Sequence, residues 1–190
     1  MDAFKKILTS LPGVFILEPR VFGDERGFFL ESYNQRAFAA IGIPEQFVQD
    51  NHSSSQRNVL RGLHYQIKQS QGKLVRVIDG EILDVAVDLR RSSAAFGASE
   101  TVHLSEENRR MLWIPPGLAH GFRVVSEKAH VLYKTTDYYA PEHERTLAWN
   151  DPDLKINWEL DDAPIVSAKV SVGFRSALLK LSNKAGTIKT

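Results

Sequence analysis

The chain has 190 residues, a formal net charge of +1, 43% hydrophobic and 25% charged residues, and no cysteine. That length points to one domain, residues 1–190, with enough apolar material for a real core. The near-neutral charge, with Lys and Arg mostly scattered, argues against a nucleic-acid partner, and the lack of cysteine removes disulfides, thiolate metal sites and a cysteine nucleophile.

No apolar run approaches the length of a bilayer span, and Met1-Asp2-Ala3-Phe4-Lys5-Lys6 lacks a signal-peptide core. A soluble cytoplasmic protein without a membrane partner is expected. Short apolar runs separated by Gly, Pro, Asn and Asp dominate the chain from there on. Strands are expected at 14–17, 28–32, 47–53, 59–66, 73–78, 81–89, 99–104, 111–114, 121–125 and 129–136. Such a series predicts an all-β sandwich or barrel. Asn34 is placed to cap a helix over 35–41, with Ala37, Phe38 and Ile41 as its apolar stripe. A second short helix is expected at 176–182, followed by a polar, fraying end.

The most informative stretch is Leu60-Arg61-Gly62-Leu63-His64-Tyr65-Gln66. Lys73 opens the next strand, and Asp79-Gly80 reads as a tight hairpin turn. His64 and Lys73 are therefore expected on adjacent strands. Alternation puts Arg61 and His64 on opposite faces, unless Gly62 hosts a bulge that re-aims one of them. Metal binding is disfavoured: there is no His-x-His pair, Lys73 falls near the position of the missing carboxylate, and His120 with His64 alone makes a poor site.

Without a metal, His64 is a candidate general base. Lys73 is a candidate stabiliser of a developing oxyanion, and Tyr133, in an alternating strand, a candidate proton donor. Together they suit proton movement at a carbon next to a carbonyl. The same residue types also fit a surface histidine, a solvated lysine and a core tyrosine. A rigid turn, Pro115-Pro116-Gly117, delivers His120 to a new strand. Around Arg26, charges alternate with aromatics, a pattern that fits either phosphate and base contacts or a charged hairpin. The polar run Gln49-Asp50-Asn51-His52-Ser53 offers groups for a sugar or base.

These segments, with Gly80 to Asp88, Pro115 to Phe122 and Tyr133 to Glu142, stand in the order and spacing of a known family. Over roughly residues 12–170 the chain resembles the dTDP-4-dehydrorhamnose 3,5-epimerases, enzymes of deoxysugar biosynthesis with a cupin fold. The resemblance implies a double-stranded β-helix, or jelly-roll barrel, with a few short helices. It implies epimerisation at C3, C5 or both of a dTDP-4-keto-6-deoxyhexose, with no metal or organic cofactor. His64 would be the base, Tyr133 the acid, and Lys73 the partner of the C4 oxygen. Arg61 and His120 would line the pocket, and Gln49, Asp50 and Asn51 would belong to the substrate-binding set. Tyr139 would stack near the base or sugar, with Glu144 and Lys169 completing the binding positions. Arg26 and Glu31 would reach the nucleotide of a neighbouring subunit in a homodimer.

One position departs from the pattern. The family usually carries an aspartate after the late Ser-x-Lys, where it orients the catalytic histidine; here Ser167-Ala168-Lys169 is followed by Val170. Asp84 is the candidate replacement. The departure leaves open a mono-epimerase or ketoisomerase on the same substrate class, or a non-catalytic sugar-nucleotide binder.

Overall fold

The computed structural model describes residues 3–173. The strands are β1 Phe4–Leu8, β2 Phe15–Pro19, β3 Val21–Asp24, β4 Gly27–Leu30, β5 Gln49–Gln56, β6 Leu60–Gln66 and β7 Lys73–Asp79. They continue with β8 Glu81–Asp88, β9 Ser99–Ser105, β10 Met111–Ile114, β11 Leu118–Val124, β12 Lys128–Thr135 and β13 Glu144–Thr146. Two short helices, α1 Gln35–Ala40 and α2 Ala168–Ser171, complete the regular elements with a 3₁₀ turn at Pro141–His143. The helix expected at 176–182 lies outside the described residues.

One sheet has the order β1-β2-β10-β7-β12-β5 and a second β13-β6-β11-β8-β9, while β3 and β4 form a separate hairpin. From β5 onward the chain crosses between the two sheets at nearly every connection, the β8–β9 hairpin excepted. This is the double-stranded β-helix of a cupin barrel. The crossing corrects the expected Asp79-Gly80 hairpin: β7 pairs with β10 and β12, whereas β8 pairs with β11 and β9. Gly80 turns a corner between sheets. It has φ +77°, and a Cβ there would sit 2.0 Å from the Lys128 carbonyl oxygen. His64 and Lys73 accordingly come from different sheets, not from adjacent strands.

Each strand's alternation places one face on the space between the sheets. Val75, Val77, Ile82, Ala86, Leu104, Leu112, Phe122 and Val131 form that inner core. The outer face of the second sheet is covered by the late segment, with Val85, Val87 and Leu63 packed on Leu147, Leu154, Trp158 and Val170. Strand β8 is thus buried on both faces, which explains its nearly continuous apolar run. On the outside of the first sheet, α1 docks Phe38 beside Phe4, Leu17, Leu74, Met111 and Trp113. Asn34 caps that helix as expected, accepting from the Arg36 and Ala37 amides, a contribution of about 1 kcal/mol.

Candidate active site

The open part of the barrel is a cavity of about 660 Å³, within the usual range for small-molecule sites. Both sheets supply its walls. On the first, Asn51 and Val75 lie opposite Tyr133, and Gln49 and Lys73 opposite Thr135, so Gln49, Asn51, Lys73 and Tyr133 share a face and line the cavity. On the second, His64 lies opposite both His120 and Thr146.

The β6–β11 register slips at Gly62: His120 pairs with His64 but Phe122 pairs with Arg61, so three steps along β6 oppose two along β11. This bulge brings Arg61 to the same cavity as His64. Gly62 has φ +105°, and a Cβ there would lie 2.5 Å from both Gly121 Cα and the His120 carbonyl oxygen. The close approach of the two backbones therefore demands glycine.

His64 Nδ1 lies 3.1 Å from Thr146 Oγ1 and 3.3 Å from Glu144 Oε1. The other Glu144 oxygen accepts from the Tyr139 hydroxyl at 2.9 Å and from Lys169 Nζ. Burial pushes the His64 imidazolium down to about 4; Glu144 opposes this, and the charges on Lys73, Lys169 and His120 add to it. The ring is then a neutral base at pH 7. Burial also lowers the Lys73 ammonium to about 8, against the pull of Asp84 and Glu144. The Tyr133 hydroxyl is raised, chiefly by burial, with Arg61 opposing, so the phenol keeps its proton. For Glu144, burial raises the carboxyl, but the bonds from Lys169 and Tyr139 outweigh it and hold the group below its ordinary value.

Nine of the residues singled out in the sequence line this one cavity: His64, Tyr133, Lys73, Gln49, Asn51, Arg61, His120, Tyr139 and Glu144. Lys169 reaches it through Glu144. Asp50 does not: strand alternation turns it outward, where it pairs with Lys134 at 2.8 Å. Arg26 sits at the exposed tip of the β3–β4 hairpin, paired with Asp24, and Glu31 accepts from Asn34 Nδ2 at 3.1 Å. Neither lines this chain's cavity. Asp84 does not replace the missing aspartate, because its carboxylate accepts from His120 Nε2 at 2.9 Å. Thr146 escapes sequence reasoning, because its three-residue strand, Glu-Arg-Thr, carries no periodicity. Among the described residues no group of three or more histidine, aspartate or glutamate side chains is placed to hold a metal ion.

A cupin barrel with a neutral imidazole on one wall, a phenol on the other and a buried ammonium in the same cavity has the makings of a proton-transfer isomerase. The sequence profile of the dTDP-4-dehydrorhamnose 3,5-epimerases matches residues 8–173. The dTDP-4-dehydrorhamnose 3,5-epimerase of Pseudomonas aeruginosa is 65% identical over 166 residues, covering 87% of this chain and 92% of its own. The dTDP-6-deoxy-D-glucose-3,5-epimerase of Legionella pneumophila Philadelphia 1, solved in complex with dTDP-4-keto-L-rhamnose, superposes with a TM-score of 0.91 at 47% identity, covering 94% of this chain and 96% of that one. A 3'-monoepimerase of Streptomyces bikiniensis, in complex with dTDP-quinovose, gives 0.85 at 31%, covering 92% and 89%. The chain belongs to the dTDP-4-dehydrorhamnose 3,5-epimerase family.

Proposed function

We propose that the chain is an isomerase that inverts C3, C5 or both of a dTDP-4-keto-6-deoxyhexose. The ketone at C4 acidifies both neighbouring C–H bonds. His64 removes a proton, and the electron pair left on carbon moves into the ketone to give an enolate. Lys73 faces the resulting oxyanion and stabilises it. Tyr133 returns a proton to the opposite face of the carbon, so its configuration inverts. His64 and Tyr133 are then restored through solvent. No cofactor enters this cycle. Base and acid are each worth about 10²–10⁴-fold.

The observation that supports this reading is the placement of His64 and Tyr133 on opposed sheets around one cavity. Gln49, Asn51, Arg61, His120, Tyr139, Glu144 and Lys169 are proposed to hold the sugar and nucleotide. The experiment is NMR of dTDP-4-keto-6-deoxyglucose in heavy water. The wild-type chain incorporates deuterium at every carbon that it inverts. His64→Ala abolishes exchange, and normal exchange in that variant removes His64 as base. Tyr133→Phe retains exchange but impairs inversion; an unchanged product and rate remove Tyr133.

A second reading is favoured by Val170 and by the structural likeness to a 3'-monoepimerase: inversion at one carbon only. The same spectrum decides, because one labelled carbon means one inversion. A chain that labels neither carbon is a sugar-nucleotide binder.

We further propose that the chain acts in the cytoplasm as a homodimer. No helix among the described residues is long and apolar enough to cross a membrane. The β3–β4 hairpin leaves Phe22, Phe28 and Phe29 50%, 59% and 70% exposed, a surface suited to a second copy. Arg26 and Glu31, on and just after that hairpin, would then serve the neighbour's cavity.

A further inference from the structure

The base reading of His64 requires one tautomer. The proton of the neutral ring must sit on Nδ1, so that Nε2 offers its lone pair to the substrate. In the position where the chain carries Val170, the side chain lines the cavity but has no polar atom. What then decides between the tautomers?

Two groups approach Nδ1, both from β13. Thr146 is buried and faces His64 directly across the β6–β13 pairing. Its hydroxyl oxygen is 3.1 Å from Nδ1. A hydroxyl alone is ambiguous, since it can accept from an N–H or donate to a lone pair. Glu144 removes the ambiguity. Its Oε1 is 3.3 Å from the same nitrogen, while its Oε2 is occupied by Tyr139 and Lys169. A carboxylate held in this way only accepts. A lone pair on Nδ1 would face that negative charge, whereas an N–H there is attracted to it. Of the groups on the other elements around the ring, Lys73 and Lys169 carry ammonium groups with no lone pair to offer Nδ1–H, and the Nε2 of His120 is engaged by Asp84.

We propose that Thr146 is the positioning residue for His64: its hydroxyl accepts the Nδ1–H of the neutral imidazole and, with Glu144 fixing the polarity, sets the tautomer that presents Nε2 to the sugar. Thr146 touches no reacting atom and acts through the ring. The inference rests on the base role of His64.

The test uses the full-length protein labelled with ¹⁵N-histidine. At pH 7 the wild type shows His64 with a protonated Nδ1 and an unprotonated Nε2. Thr146→Val populates the other tautomer and lowers kcat about 10- to 100-fold, with KM within about twofold. The fall is smaller than the roughly 10⁴-fold cost of a wrong tautomer in serine proteases, because Glu144 still biases the ring. Thr146→Ser restores both the spectrum and the rate, which separates positioning from packing. A wild-type ring protonated on Nε2 overturns the proposal. So does a Thr146→Val protein with unchanged kcat and tautomer, or a Thr146→Ser protein as impaired as Thr146→Val. His64→Asn is run alongside. If it loses deuterium exchange while Thr146→Val is unaffected, only the positioning role fails; if it keeps exchange, the base reading itself fails.

Discussion

Lys73 is buried in the barrel, with its Nζ 3.5 Å from the His64 carbonyl oxygen. In the proposed mechanism, its depressed value, about 8, and that of His64, about 4, set the expected pH range of catalysis. His64 must be neutral to take a proton, so activity is lost as pH falls through about 4. Lys73 must be charged to face an oxyanion, so activity is lost as pH rises through about 8. The free-enzyme profile of kcat/KM is therefore a bell between these limits. Lys73→Met removes the alkaline limb and lowers kcat by about 10²–10³-fold. A wild-type profile flat from pH 6 to 9.5 would remove the lysine from the reaction. These residues are legible in the sequence as candidates, each with a structural alternative, and the ordered family motifs around them favour the catalytic reading. The partners that tune them are not. Asp84 belongs to His120, and Thr146 belongs to His64, through pairings between strands far apart in the chain.

Among the elements, β6 does most to shape the site. Alternation alone separates Arg61 from His64, and the bulge at Gly62 reunites them. Gly62→Ala places a methyl group within 2.5 Å of the β11 backbone at a left-handed φ. The expected cost is about 2–4 kcal/mol, or roughly 4–16 °C in Tm, and whatever folds loses activity because the register of the two strands must slip. A thermal melt and a rate at the same temperature check both. An unchanged melt would show that the two backbones part at little cost. Ten strands are readable from the sequence, most of them because their apolar runs are bounded by turn residues, although β5 is polar from Gln49 to Gln56. The others escape for identifiable reasons: β1 carries two adjacent lysines, β3 is exposed along its whole length, and β13 is three residues long. The turn chemistry at Asp79-Gly80 is plain in the sequence, but a turn does not specify which strands it joins.

For the molecule as a whole, the exposed aromatic hairpin carries the proposed assembly. Arg109 lies over the Phe28 ring and Arg20 over Phe22, leaving Phe29 the most exposed of the three rings. Replacing Phe28 and Phe29 together by Ser converts a dimer to a monomer in sedimentation equilibrium and reduces activity, since Arg26 and Glu31 no longer meet a second cavity. A wild-type chain that sediments as a monomer at micromolar concentration would end the dimer proposal. Composition and strand spacing carry the fold class no further than sandwich or barrel. The cupin arrangement comes from the ordered set of motifs, because the choice of strand partners is non-local and leaves little trace in any short window.

That non-locality bears on how the protein comes into being. The first two strands are neighbours in the chain and pair with each other, but the free edge of β2 is filled only by β10, with Phe15 meeting Trp113. On the ribosome, the nascent chain must carry this open edge until residues near 113 have emerged. Closure of the barrel mouth waits longer still, for Thr146 to reach His64. Topologies of this kind fold in milliseconds to seconds and leave sheet edges open to aggregation meanwhile. Translation speed and chaperone supply during overexpression should govern the soluble yield more than the stability of the finished barrel.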